Sequence, residues 1–139
     1  MTKYINVKTG SRTDMIDITS QVQEVIDRTG ITDGICYLYV PHTTAAVTIN
    51  EGADPSVRRD IMKALSRLIP RDAGYSHMEG NADAHIKSSL VGSSTYVFIE
   101  KGKILLGTWQ SIFFCEFDGP RHRRVAIKAR AVRASRSKP

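Results

Sequence analysis

The sequence predicts an α+β fold built mainly on antiparallel sheet. Three observations predict it. Seven strand-like segments outnumber three helical ones, and the two kinds are mixed along the chain. The tight turn Glu100-Lys101-Gly102-Lys103 joins two apolar segments as a hairpin.

Tyr4-Ile5-Asn6-Val7 alternates as a first strand, and Met15-Ile16-Asp17-Ile18 reads as a second. A helix over Gln21 to Arg28 follows. Ser20 is its N-cap with Gln23 three positions on, Val22, Val25 and Ile26 form its stripe, and Gly30 ends it. Ile35 to Val40 and Ala46 to Ile49 are strands joined by Pro41-His42-Thr43-Thr44. Asp54-Pro55 starts a second helix, because aspartate caps free amides and proline suits the first helical position. Val57, Ile61, Ala64, Leu65 and Leu68 mark one face of it, and it ends before Pro70. A loop reaches Glu79. Gly80-Asn81 opens a third helix, with Ile86 and Leu90 expected inward and Gly92 as its stop. Thr95 to Glu100, Gly107 to Phe117 and Val125 to Arg133 are the closing strands, the first two expected to pair.

The 139 residues fit one domain, 1–139, with 134–139 as a loose basic tail. A chain of this size buries roughly two thirds of the surface it exposes unfolded, so it needs no disulfide or structural metal. No run approaches the length of a membrane span, and Met1 to Gly10 lacks the apolar core of a signal peptide. Cys36 and Cys115 each lie in an apolar strand and read as buried free thiols in a reducing compartment. The expected location is the cytoplasm.

The net charge of +6 is unevenly placed. Residues 121–139 carry eight Lys or Arg and no acid, which leaves the preceding body slightly acidic. A basic segment of this kind can bind nucleic acid or other anions. Here, however, Val125, Ile127, Ala129 and Ala131 alternate with Arg124, Lys128 and Arg130. That is a half-buried strand with a cationic outer face, so nucleic acid is not the expected partner.

Three of the four histidines lie in polar company: Pro41-His42-Thr43-Thr44, His77-Met78-Glu79-Gly80-Asn81 and Ala82-Asp83-Ala84-His85. Imidazoles from separate segments can bind a metal or move a proton. Asn81 and His85, four apart, share a helix face, and the loop carrying His77 can fold over it. Together with His42 they would form an open three-histidine site for a divalent ion, zinc or magnesium, although the spacing matches no tight metal motif. Glu51, beside Asn50, has no apolar role. It would be a base or would support a ligand, whereas Asp54 is explained by capping alone. A hairpin of the strands around His42 would put Asn50 and Glu51 at its far end, so their convergence on His42 needs a bend or another chain.

The N-terminus of the third helix favours a phosphate or carboxylate, to which Lys87, Ser88 and Ser89 could add donors. Gly107-Thr108-Trp109-Gln110 offers a flat aromatic wall, though a lone tryptophan is more often core or interface. Arg121, Arg123 and Arg124 are further anion contacts.

His42-Thr43-Thr44 to Asn50-Glu51, Asp54-Pro55-Ser56-Val57-Arg58, His85-Ile86-Lys87-Ser88-Ser89-Leu90 and Gly107-Thr108-Trp109-Gln110 closely resemble the YjbQ-like family, in its order and spacing, over nearly the whole chain. The resemblance implies a two-sheet β-sandwich with about three helices and a homotrimer whose sheets pack around the threefold axis. Members are commonly labelled secondary thiamine-phosphate synthase. That label implies joining a pyrimidine diphosphate to a thiazole phosphate with release of pyrophosphate. His42, Asn50, Glu51, His77, His85, Trp109 and Gln110 fall on the family's polar motif positions. Arg121-His122-Arg123-Arg124 departs from it, lacking a glycine pair that some members carry there.

The resulting expectation is a small enzyme with His42, His77 and His85 as metal ligands. Glu51, His85 and Gln110 would be catalytic; Asn50, Asn81, Lys87, Ser88, Trp109 and Arg124 would bind a phosphorylated substrate. Paired aspartates for Mg²⁺ are missing, which leaves the synthase reaction as a side activity. A metal-dependent hydrolase of a phosphorylated small molecule, or a non-catalytic anion-binding trimer, are the alternatives.

Overall fold

Period-two alternation builds the first strand, β1 (Lys3–Lys8), which buries Ile5 and Val7 and exposes Tyr4, Asn6 and Lys8. The structure, a computed structural model, describes residues 1–132. The expected tail at 134–139, and Arg133, lie outside the described residues. After β1 come β2 (Asp14–Asp17), α1 (Thr19–Thr29), β3 (Asp33–Tyr39), β4 (Ala45–Glu51), α2 (Pro55–Leu68) and α3 (Ala82–Val91). β5 (Ser94–Glu100), β6 (Lys103–Ile104), β7 (Gln110–Glu116) and β8 (His122–Ala131) close the chain.

The strands form two antiparallel sheets, one ordered β1-β8-β3-β5-β6 and the other β2-β7-β4. This is the expected α+β sandwich. The main core lies between the sheets, where Leu38, Val97, Val125 and Ile127 meet Val47, Ile112 and Phe114, and α1 adds Val22 and Ile26. A second cluster on the other face of the small sheet joins Met15, Phe113, Cys115 and Phe117 to α2 and α3.

Four local expectations are corrected. β3 and β4 are not a hairpin: they belong to different sheets, and residues 41–44 cross between them. The Lys101-Gly102 turn, with φ of 52° and 77°, does close a hairpin. Its second strand, though, is the two-residue β6, while β7 begins only at Gln110 in the other sheet. The N-cap of α1 is Ile18, and Asp17 serves its first turn by accepting from Thr19.

The fourth correction concerns α3. Ile86 and Leu90 are exposed, and the helix instead buries Asp83, Ala84, Lys87 and Ser88. An ion-pair network makes this tolerable. Arg12 grips the Asp83 carboxylate through two hydrogen bonds of 3.0 and 3.2 Å, and Lys87 adds one of 2.9 Å. The α2 stripe, meanwhile, is only partly covered: Ile61, Met62 and Leu65 pack inward and Leu68 is exposed. Its Asp54 cap is as expected, accepting from the Ser56 amide at 2.9 Å.

The outer face of the five-stranded sheet carries Tyr4, Tyr37, Tyr39, Tyr96 and Phe98, each between 43% and 56% exposed.

Candidate functional site

The chain crosses from sheet to sheet at residues 41–44, next to the start of β8 and the N-terminal end of α3. These segments and the loop before α3 enclose an open cleft of about 650 Å³. Its walls include His42, His77, His85, Asn81, Arg121 and Arg123.

A buried charge pair underlies it. Glu116 lies on β7 in step with Phe114 and Ile112, and therefore faces the interior. Arg123 lies on β8 in step with Val125 and Ile127, and faces the interior too. The Arg123 guanidinium donates to both Glu116 oxygens and to Thr44 Oγ1. Thr9 Oγ1 adds a 2.7 Å hydrogen bond to Glu116. Burial alone would raise the Glu116 pKa, but the bonds from Arg123, Thr9 and the Asp118 amide outweigh it and hold the carboxyl below its ordinary range. The pair ties the His42 segment, β7 and β8 into one unit.

His42 accepts a hydrogen bond at Nε2 from the Arg124 backbone N–H, 3.1 Å away. Burial and then the charge of Arg123 lower its pKa, so the ring is neutral at pH 7. His77 and His85 meet edge to face with centroids 5.2 Å apart, and Glu79 lies 3.9 Å from His77 Nε2. Asn81 donates to Asp118 Oδ2 at 2.8 Å, and Arg121 binds the same carboxylate at 3.0 Å. Burial would raise the Asp118 pKa; these two partners lower it instead. Nη1 of Arg121 and Nη1 of Arg123 make no hydrogen bond among the described residues. Asn81 Oδ1 is buried and without a partner among them.

The three histidines of the sequence reading thus line one cleft, joined by Asn81. Among the described residues, no three His, Cys, Asp or Glu side chains are placed to hold a metal ion. His42 Nε2 already accepts a hydrogen bond from the Arg124 amide, and of the three rings only His77 and His85 pack against each other.

Asn50, Glu51, Trp109 and Gln110 lie elsewhere. On β4, Ala45 pairs with Glu116 near the cleft, whereas Glu51 pairs with Gln110 at the other end, about 20 Å away at the strand's rise per residue. There they fasten turns. Asn50 Oδ1 accepts from the Glu51 amide, Glu51 from the Ala53 amide, and Gln110 Oε1 from the Gly107 amide. Trp109 is 65% exposed. Lys87 is buried against Asp83, and the Arg124 guanidinium lies over the Tyr4 ring, 4.3 Å from its centroid. Ser88 lines a neighbouring cavity.

Sequence reasoning missed Glu116 and Asp118, and gave Thr44 no role of its own. The signal for the first was present: an acid and a base sit at inward positions of two apolar strands.

A family described as UPF0047 protein YjbQ-like matches residues 3–131. The chain belongs to this family. A UPF0047 protein of Methanocaldococcus jannaschii is 56% identical over 126 residues, spanning 91% of each chain. The UPF0047 protein YugU of Bacillus subtilis is 50% identical, covering 92% of this chain and 98% of its own. Among solved structures, a Clostridium acetobutylicum protein of the YjbQ/UPF0047 family superposes with a TM-score of 0.90 at 50% identity, covering 91% of this chain and 98% of its own. A YbjQ-like protein of unknown function from Sulfolobus solfataricus gives 0.87 at 32% identity, over 91% and 94%. No helix among the described residues is long and apolar enough to cross a membrane.

Proposed function

We propose that this protein is a small enzyme that binds a phosphorylated small molecule in the histidine-lined cleft and acts on it by acid–base chemistry. One observation carries the reading: His42, His77 and His85, from three separate segments, line one cleft with Arg121 and Arg123. Imidazoles exchange protons near neutral pH. The Nη1 groups of the two arginines suit phosphate oxygens, which they can meet as planar donors.

The reaction to test is the joining of a pyrimidine diphosphate to a thiazole phosphate. The thiazole nitrogen bonds to the pyrimidine methylene carbon, and the carbon–oxygen bond to pyrophosphate breaks with its electron pair leaving on oxygen. Arg121 and Arg123 would stabilise that developing charge. Product analysis with both substrates tests it. Formation above background that is lost in His85→Ala supports the synthase reading. Release of inorganic phosphate from either substrate alone points to a hydrolase. Neither product, with tight anion binding retained, points to a binding module.

The His77–His85 pair favours a second reading, in which these rings share a divalent ion with a donor from a neighbouring copy. Metal analysis of protein purified without added metal tests it: near-stoichiometric zinc that is lost in His77→Ala supports it, and none contradicts it.

The partner in this reading is a further copy of the chain, in a homotrimer. The exposed aromatic face of the larger sheet supports this, because Asp33 and Glu100 share that face with Arg124, Lys128 and Arg130 and make it self-complementary in charge. A cytoplasmic location fits two free cysteines, Cys36 and Cys115, whose thiols burial pushes up to about 11 and about 12.

A further inference from the structure

A second cavity of about 380 Å³ adjoins the cleft and shares His42, Thr43 and His85 with it. Its remaining walls differ in kind. The larger cleft holds arginines and carboxylates; the smaller holds no charged side chain and is lined by Ser88, Ser89, Ser93 and Gly92.

The hydroxyls there are oriented. Ser88 Oγ donates to the Ala84 carbonyl at 2.8 Å, and Ser89 Oγ donates to the His85 carbonyl at 2.9 Å. A hydroxyl has one proton, so each of these oxygens has only lone pairs left to offer. Thr43 and Ser93 hydroxyls make no hydrogen bond among the described residues, and both line the same space. At Gly92, with φ of 107°, a Cβ would meet nothing within 4 Å, so bare backbone borders open space. An uncharged compartment in which two oriented serines offer only acceptors, beside two free hydroxyls that can give or take, suits a neutral group with N–H or O–H to donate better than it suits a phosphate.

We propose that the serine-lined cavity is a second subsite, which takes an uncharged hydrogen-bond-donating group beside the anion in the larger cleft. His42 and His85 stand on the wall between the two. The anion half rests on the function proposed above. The cleft thus takes two ligands at once, or one ligand with a charged and a neutral end, and the imidazoles face their junction.

Three probes test this by amide NMR on the whole chain: inorganic pyrophosphate, 2-aminopyrimidine, and pyrimidine as the control without a donor. 2-Aminopyrimidine is expected to shift the amides of Thr43, Ser88, Ser89 and Ser93. It is expected to bind roughly fivefold tighter than pyrimidine, the worth of one neutral hydrogen bond. Saturating pyrophosphate should leave that binding in place. Ser89→Leu or Ser93→Leu, both at exposed positions, should abolish it and leave pyrophosphate affinity unchanged. Competition between the probes, equal binding of the two pyrimidines, or shifts confined to other residues would overturn the second subsite. Failure of pyrophosphate alone would overturn the anion reading of the larger cleft, while the 2-aminopyrimidine arm still decides the smaller one.

Discussion

The backbone N–H of Arg124 donates to Nε2 of His42 at 3.1 Å, pinning a ring at the sheet-to-sheet crossover to the start of β8. With Nε2 as acceptor, the neutral ring carries its proton on Nδ1. Burial and the Arg123 charge lower the His42 pKa from 6.5. A histidine with a lowered folded pKa stabilises the fold above its ordinary value, and that contribution is lost as pH falls through the folded value. NMR titration of the side chains is expected to show His42 protonating below 6.5. A midpoint above 6.5 would contradict the hydrogen-bond and burial account.

Glu116 and Arg123 are both buried and paired, so removing one leaves the other uncompensated. Glu116→Gln is expected to cost about 3–5 kcal/mol in denaturant unfolding. Thr9→Val, which removes one donor to the same carboxylate and an acceptor for the Arg121 amide, should cost about 1.5–3 kcal/mol. Equal effects from the two would argue against a buried ion pair.

Asp83 has a fully buried side chain, and although burial would raise its pKa, Arg12 and Lys87 hold it at about 2 against an ordinary 3.8. A carboxyl lowered on folding stabilises above the unfolded value, and the effect disappears between 3.8 and about 2. The shift corresponds to about 2 kcal/mol. Asp83→Asn is expected to flatten the acid limb of a stability-against-pH curve over that window. An unchanged slope would contradict the network.

Tyr37 and Tyr96 are directly opposed on the bare face of the larger sheet. If a second copy covers this face, Tyr96→Glu should convert the homotrimer to a monomer of 15.4 kDa by light scattering. A wild-type protein already monomeric at micromolar concentration would contradict the assembly.

Much of this fold was legible from local chemistry. The Asp54-Pro55 start, the Lys101-Gly102 turn and the alternation of β8 are each decided by a few neighbouring residues, and each holds in the structure. Pairing was not legible to the same degree. Whether Ala45–Glu51 lies beside β3 or β7 depends on sheet assignment, which apolar runs do not encode. The inward face of α3 was misread because Lys87 and Asp83 look like surface residues until Arg12, 71 positions away, completes their network. The site divided in the same way. Histidines in polar loops were visible as a set, whereas the polar residues around Glu51 and Gln110 proved to lie at the opposite end of the small sheet.

Calorimetric titration with inorganic pyrophosphate tests the central claim most directly. Arg121→Gln, at an exposed position on the cleft wall, is expected to weaken binding about tenfold, the worth of one charge-assisted contact. Trp109→Ala, at the far end of the small sheet, should leave it unchanged. Binding indifferent to Arg121 and abolished by loss of Trp109 would contradict the placement of the site.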